Sequence, residues 1–224
     1  MIAKDEKEPR ASSYVPALGY HWLTPWYDAV VRATTRERRF KEALIAQARC
    51  EPGHQILDLG CGSGTLAIWI KQREPAAIVT GVDGDPAMLA VAVRKAAVGN
   101  VAVQFDRGLS YSLPYVDARF DVAVSSLFFH HLSWDDKARS ARELFRVLKP
   151  GAALHVADWG RAGGALMRTL FLVIQALDGV ANTRDNVSGR LIPLFEGAGF
   201  IEVSQRQAFS TVLGTLALYR AVRP

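Results

Sequence analysis

Three alternating glycines follow a carboxylate in residues 58–64, whose sequence is Asp-Leu-Gly-Cys-Gly-Ser-Gly. The apolar residues just before them predict a short buried strand at 56–59, and residues 65–70 resume with helical periodicity. Glycine has no Cβ, so a ligand can approach such a turn closely, and the N-terminus of the next helix offers unpaired N–H groups. This order of strand, turn and helix predicts a nucleotide-sized binding site.

Two carboxylates accompany this turn. Asp58 lies inside the first strand, and Asp83 ends the second. Residues 62–67 formally fit the dinucleotide fingerprint, with Asp83 at about the expected distance, and this reading predicts a nicotinamide-dependent oxidoreductase. Against it, Asp58 places a carboxylate where a dinucleotide needs room for its pyrophosphate. A carboxylate there suits a ligand that carries an ammonium group, such as an amino acid.

Apolar strands alternate with helices of ten or more residues after residue 50. The strands are predicted at 56–59, 78–82, 101–105, 120–126, 152–157, 201–203 and 211–222. Alternation of this kind predicts right-handed βαβ units and a parallel sheet. No helix separates the last two strands, so they predict an antiparallel hairpin at one edge. Asp85 and Pro86 predict the cap and first position of a helix, and residues 182–186 predict a polar turn.

The chain divides into two predicted parts. Residues 1–49 are expected to form a tail and a helical lid, with a dense aromatic stretch at 14–27, and residues 50–224 form the ligand-binding domain. An apolar helical insert at about 163–187 interrupts the second part. The aromatic stretch and the insert either enclose an apolar acceptor or simply pack on the sheet.

The composition and charge of the chain limit the kinds of partner that we expect. The 224 residues are 50% hydrophobic and 22% charged, as in a globular α/β protein. The formal charge is +5, but the basic residues are spread along the chain, so we do not expect a nucleic-acid partner. No apolar run is long enough to predict a membrane span. Two cysteines predict a reducing cytoplasm, the histidines and cysteines lack metal-ligand spacing, and no pattern predicts an oligomeric state.

The segment Asp58–Gly64 resembles the signature of class I S-adenosylmethionine-dependent methyltransferases. Within that class the chain is most similar to the small-molecule branch typified by quinone-biosynthesis methyltransferases (methyltransferase type 11). The likeness covers about residues 50–160 and extends through Gly81-Val-Asp83, Leu113-Pro114, Phe120-Asp121, His130-His131 and 142–151. It implies a Rossmann-like α/β fold, with a mostly parallel seven-stranded sheet between helices, and S-adenosylmethionine as cofactor.

The resemblance also implies a cofactor role for ten residues: Asp58, Gly60, Cys61, Gly62, Asp83, Gly84, Met88, Gly108, Leu109 and Ser125. Asp58 is expected near the ammonium group of the methionine part, and Asp83 at the two ribose hydroxyls, since a carboxylate has two acceptor oxygens. Leu109 stands where the family commonly has an acid for the adenine amine. Met88 is an adenine wall or core residue, and Cys61 contributes its backbone.

Methyl transfer from a sulfonium mainly needs alignment of the reacting atoms, and positioning can supply about 7–11 kcal/mol of the barrier. Oxygen or nitrogen acceptors also need a base, for which the candidates are His130, His131 and Tyr20. Simple packing of the histidine pair is the alternative. The expected activity is methyl transfer to a small apolar or aromatic molecule. The alternatives are a catalytically silent cofactor-binding or scaffold protein, which Leu109 suggests, and an RNA or protein methyltransferase.

Overall fold

The computed structural model describes residues 34–172, 174–175 and 179–224, and only the backbone of Ala181. Within these residues seven strands form one sheet: β1 (Gln55–Leu59), β2 (Ile78–Asp83), β3 (Gln104–Arg107), β4 (Phe120–Ser126), β5 (Leu148–Trp159), β6 (Ile201–Thr211) and β7 (Gly214–Val222). Their order is β3-β2-β1-β4-β5-β7-β6. The first five strands pair in parallel, and β7 is antiparallel to both β5 and β6. The predicted mostly parallel seven-stranded sheet with an antiparallel edge hairpin is confirmed.

Helices cover both faces of the sheet, as predicted. The described helices are α1 (Glu37–Ala48), α2 (Thr65–Arg73), α3 (Pro86–Val98), α4 (Trp134–Val147), α5 (Ala165–Leu170), α6 (Val180–Val187) and α7 (Leu191–Gly197), with a 3-10 turn at Phe129–His131. On one face α1 and α2 bury Phe40 and Leu66 against β1 and β4. On the other face α4 and α7 bury Leu144 and Leu194 against β5.

Local sequence signals explain where two helices begin. The Asp85 carboxylate accepts hydrogen bonds from the backbone N–H groups of Ala87 and Met88, and Pro86 takes the first helical position of α3, as predicted. The Ser133 hydroxyl accepts from the backbone N–H of Asp136 and begins α4 in the same way.

The prediction of a polar turn at 182–186 is wrong, because these residues lie within helix α6. Thr183, Asp185 and Asn186 are buried although they are polar. The helix packs against the 3-10 turn and β5, and this tertiary packing outweighs the turn-forming composition. Four strand predictions also need bounds that differ by more than one residue. β3 begins three residues later than expected, and β5 extends further at both ends. β6 continues to Thr211 instead of ending at 203, and β7 begins three residues later than expected.

The parallel register brings the carboxyl ends of three strands to one edge of the sheet. Asp58 in β1 pairs with Gly81 in β2 and Val124 in β4, and Leu59 pairs with Val82 and Ser125. Ligands of open α/β sheets bind outside this edge. Among the described residues, no helix has both the length and the apolarity needed to cross a membrane.

Candidate functional site

Asp58 is a buried carboxylate with one unused oxygen. Its side chain is 1% exposed, and Oδ2 accepts a 3.1 Å hydrogen bond from the backbone N–H of Ala67 in α2. No hydrogen-bond partner lies near Oδ1 within the described part of the chain. Burial raises the pKa of Asp58 to about 7, and the positive charge of Lys41 opposes that shift. Asp58 therefore holds the start of α2 and keeps one oxygen for a donor that the described chain does not supply.

The glycine turn adopts a left-handed backbone, with φ of 67° at Gly60, 51° at Gly62 and 73° at Gly64. This region favours glycine because a Cβ is strained there. The backbone N–H groups of Gly60 and Cys61 donate to the carbonyl of Val82, at 2.9 and 3.1 Å. These two N–H groups are therefore already paired within the protein.

Two of the glycines make room for aromatic rings of the protein. A Cβ on Gly60 would lie 2.1 Å from Cδ2 of Phe128, and one on Gly64 would lie 2.7 Å from Cζ of Phe105. A Cβ on Gly62 would have Cε of Met88 as its nearest neighbour, at the ordinary contact distance of 3.4 Å. An added Cβ would therefore clash with a ring of the protein at Gly60 and Gly64, but not at Gly62.

Asp83 is oriented by two backbone donors. Oδ2 accepts from the N–H of Gly62 at 2.8 Å, and Oδ1 accepts from the N–H of Asp85 at 2.9 Å. Burial raises the pKa of Asp83, while these hydrogen bonds oppose the shift. Each carboxylate oxygen can accept a second hydrogen bond. The two bonds thus fix the carboxylate and leave one acceptor position on each oxygen.

The predicted adenine region consists of small and apolar groups. Met88 is buried beside the turn, and Gly84 follows Asp83 at the start of the α3 cap. The N–H of Gly108 donates to the carbonyl of Asp83 at 3.1 Å, which joins the end of β3 to the end of β2. Leu109 is 44% exposed.

Asp106, which lies near Leu109 in the sequence, forms hydrogen bonds within the protein. Its carboxylate accepts from the hydroxyl of Tyr115 at 3.0 Å and from the side chain of Gln104 at 3.0 Å. These bonds tie Asp106 to its own surroundings at the end of β3.

Two further residues that were predicted to contact the cofactor are buried in the protein. The fully buried hydroxyl of Ser125 donates to the carbonyl of Leu59 at 2.8 Å and joins the ends of β4 and β1. Cys61 is buried, and burial raises the pKa of its thiol well above the usual value. The thiol is therefore protonated at neutral pH.

His130 forms a buried pair with a residue that the sequence analysis missed. Its Nδ1 lies 2.7 Å from Oδ1 of Asp158, and Asp158 is fully buried at the carboxyl end of β5. The N–H of Trp159 also donates to Oδ1, and no hydrogen-bond partner of Oδ2 is found in the described ranges. The position of Asp158 at the end of an apolar strand was the available signal, because the carboxyl ends of parallel strands share one edge.

His131 stacks beside His130, with ring centroids 4.0 Å apart. Burial lowers the pKa of His131 well below its usual value, and the charges of His130 and Lys137 add to this shift. His131 is therefore neutral at pH 7. The rings of both predicted histidines lie together near the end of β4.

More buried polar groups lie on α4, α6 and β7. Burial lowers the pKa of Lys137 and raises the pKa of Tyr219, and the charge of Asp158 raises the pKa of both. Lys137 is fully buried, donates to the carbonyl of Asn182 and lies 3.8 Å from Asp185. The side-chain amide of Asn186 and the hydroxyl of Tyr219 are buried and have no hydrogen-bond partners among the described residues. A buried polar group without a partner is destabilising. These groups are candidates for contact with a polar acceptor.

Tyr20 and the aromatic stretch at 14–27 lie outside the described residues. In the part of the chain that is described, no three His, Cys, Asp or Glu side chains are grouped in a way that could hold a metal ion.

The chain is similar to known methyltransferases. Residues 56–151 match the family model described as a methyltransferase domain. A demethylmenaquinone methyltransferase of Deinococcus radiodurans is 30% identical over 151 residues, which make up 66% of this chain and 62% of that protein. A protein of the same name from Thermus thermophilus is 34% identical over 139 residues, or 61% of this chain and 62% of that protein. Residues 56–151 therefore carry a methyltransferase domain.

A solved methyltransferase has the same fold. Magnesium protoporphyrin IX methyltransferase of Synechocystis PCC 6803, with bound SAH, has a TM-score of 0.67 to this chain at 18% identity, and the match covers 84% of each chain. This chain spans about three-fifths of the length of the two curated relatives.

The described residues of this methyltransferase domain fit S-adenosylmethionine, the cofactor of the family. The unpartnered Oδ1 of Asp58 suits an ammonium donor, and the two oriented oxygens of Asp83 suit two neighbouring hydroxyls. The space at Gly62 is bounded by the apolar Met88. The polar groups of the cofactor would thus have polar partners here, and Met88 is an apolar side chain of the kind that suits a flat base.

Proposed function

We propose that this protein is an S-adenosylmethionine-dependent methyltransferase whose acceptor is a small aromatic molecule of the quinone type. The observation that carries the proposal is the pair of carboxylates, the buried Asp58 and the half-buried Asp83, on either side of the glycine turn. The names of the relatives from Deinococcus radiodurans and Thermus thermophilus support a quinone-type acceptor.

The cofactor supplies a methyl group on a positively charged sulfur, and the protein has to hold it. In our proposal Asp58 accepts from the ammonium group, and Asp83 accepts from both ribose hydroxyls. Gly60, Cys61 and Gly62 lie against the methionine part. Gly84, Met88, Gly108 and Leu109 surround the adenine, and Ser125 keeps the end of β4 beside the end of β1.

On the acceptor side, His130 is our candidate base. An ionised Asp158 accepts a hydrogen bond, so the proton of the His130 ring lies on Nδ1 and the lone pair on Nε2. Nε2 would then take the proton from an acceptor hydroxyl, and the oxygen would receive the methyl group while the sulfur keeps the electrons of the broken C–S bond. His131 and Tyr20 remain alternative candidates, and Asp158 acts as a positioning residue.

Other parts of the proposal follow from the sequence. They are the division into a tail and lid at 1–49 and a cofactor domain at 50–224, the apolar insert at about 163–187 beside the acceptor, and a cytoplasmic location. The two cysteines of the chain, Cys50 and Cys61, are free thiols, which supports the location.

Transfer of a labelled methyl group tests the function. The purified protein is incubated with methyl-labelled S-adenosylmethionine and a reduced demethylnaphthoquinone, and then with fractionated cell extract, RNA and protein. Label in the quinone or in a small-molecule fraction supports the proposal. Cofactor binding without transfer to any fraction contradicts it in favour of the silent alternative. Label in RNA or protein contradicts the proposed acceptor.

A further inference from the structure

Lys41 is a buried cation beside the candidate cofactor site. It is 7% exposed in helix α1, and its Nζ lies 2.6 Å from Oε1 of Glu37. An ammonium group has three donors. In the described residues Glu37 is the one hydrogen-bond acceptor of Nζ, so two of its donors have no acceptor there.

Packing brings Lys41 close to Asp58. Its neighbours Phe40 and Leu44 pack in the same core as Ala67, whose N–H binds Asp58. Nζ of Lys41 lies 6.0 Å from the ring centroid of Trp69, two residues further along α2. The charge of Lys41 also lowers the pKa of Asp58, against the larger effect of burial.

The two charges are nevertheless not in contact. Lys41 forms its ion pair with Glu37, and no ion pair with Asp58 is found among the described residues. Oδ1 of Asp58 has no donor, and two N–H groups of Lys41 have no acceptor. Buried donors and acceptors without partners are destabilising. A ligand that brings one donor group and one acceptor group a few ångströms apart relieves both deficits.

We propose that Lys41 and Asp58 together bind the α-amino acid end of the cofactor, with Lys41 donating to its carboxylate and Asp58 accepting from its ammonium group. This inference rests on the proposed function. It makes helix α1 part of the cofactor site, although the sequence predicts a lid at 1–49. Glu37 competes with the carboxylate of the cofactor for the side-chain ammonium of Lys41. When that carboxylate is absent, Glu37 holds the Lys41 side chain in place.

Two ligands distinguish binding of the amino acid end by Lys41 from a purely structural role of Lys41. S-adenosylhomocysteine contains the amino acid end, and 5′-methylthioadenosine has the same adenosine and a thioether but lacks that end. Calorimetry with Lys41→Met is expected to show about a tenfold weaker affinity for S-adenosylhomocysteine, because one charge-assisted hydrogen bond is lost, and an unchanged affinity for methylthioadenosine. Glu37→Gln is expected to raise the affinity for S-adenosylhomocysteine alone.

The controls keep the outcome clear. Arg38→Met changes an exposed cation on the same helix, and both affinities are expected to stay at the wild-type values. The double variant Glu37→Gln with Lys41→Met removes both charges of the buried ion pair, so Glu37 is not left without its partner. If the single variant Lys41→Met fails to fold, the double variant is expected to show the same selective loss of affinity. Equal changes for both ligands, or no change for either, overturn the role of Lys41. Failure of the wild-type protein to bind either ligand overturns the proposed cofactor itself.

Discussion

The carboxylate of Asp83 accepts a 2.8 Å hydrogen bond from the backbone N–H of Gly62. This bond joins the end of β2 to the glycine turn after β1, so that the acid and the turn fix each other. The N–H of Asp85 holds the other oxygen at 2.9 Å. The candidate ribose acceptor is therefore preorganised, and a ligand does not have to order it on binding.

The pair of His130 and Asp158 makes a prediction about catalysis. In Asp158→Asn the amide can donate to Nδ1, which moves the ring proton to Nε2 and removes the base. We expect kcat/KM for a hydroxyl acceptor to fall by about 10²–10⁴. The affinity for S-adenosylhomocysteine is expected to stay within about twofold of the wild-type value, because the change affects a residue that positions the base for the methyl acceptor.

A double variant checks that the two residues act as one unit. His130→Gln with Asp158→Asn is expected to lose no more activity than either single change, because effects within one catalytic unit are not additive. His54→Gln, at a partly exposed histidine beside the amino end of β1, serves as the control. Multiplicative losses in the double variant, or full activity of Asp158→Asn, would contradict the assignment.

The unusual pKa of Asp58 makes a prediction about stability. The folded protein keeps the proton on Asp58 up to about pH 7, whereas the ordinary pKa is 3.8. Between these values the folded state binds more protons, so the contribution of Asp58 to the free energy of unfolding falls as the pH rises. In Asp58→Asn that loss is absent, and Asn can still accept from Ala67.

Urea unfolding at pH 5 and pH 8 tests this prediction without ligand. The stability of Asp58→Asn relative to the wild type is expected to increase from pH 5 to pH 8. The same variant is expected to bind S-adenosylhomocysteine more weakly at pH 8. A stability difference that is equal at the two pH values would show that Asp58 has an ordinary pKa.

Gly60 is predicted to be intolerant of a side chain for two separable reasons. Its φ of 67° strains any residue with a Cβ, and the new Cβ would lie 2.1 Å from the ring of Phe128. Backbone strain costs about 1–2 kcal/mol, and overpacking typically adds about 1–3 kcal/mol. Gly60→Ala is therefore expected to be less stable than a variant with strain alone.

Gly53 offers the matched control, because its φ is 80° and no atom lies within 4 Å of an added Cβ. In urea unfolding Gly53→Ala is expected to show the strain term alone, and Phe128→Ala in the Gly60→Ala background to recover part of the packing term. Equal losses in Gly53→Ala and Gly60→Ala would disprove the close contact with Phe128.

The fold could be predicted from the sequence where local signals and burial agree. Asp85 and Pro86 define the start of α3, and the apolar strand at 120–126 has the predicted bounds. The composition of α6 gives the opposite signal, since Asn182, Asp185 and Asn186 favour turns. That helix depends on contacts with the 3-10 turn and β5, which are distant in sequence and leave no local pattern.

The residues of the candidate site also differ in whether the sequence reveals them. Asp58 and Asp83 could be found because each ends or occupies a strand next to the glycine turn. Lys41 could not, because it lies on a helix that also carries exposed cations, and the sequence alone does not show which one is buried. Asp158 was recognisable only by its place at the end of a strand, and its partner His130 belongs to a different βα connection.

The central claim is that Asp83 binds the ribose of the cofactor, and calorimetry with Asp83→Ala tests it most directly. This residue lies outside the contacts of the amino acid end, so the affinities for S-adenosylhomocysteine and for methylthioadenosine are both expected to fall by about 100-fold or more, through loss of two charge-assisted hydrogen bonds. Asp117→Ala, at an exposed carboxylate, is the control, and near-ultraviolet circular dichroism checks the fold. Affinities of folded Asp83→Ala within about threefold of the wild type would contradict the account.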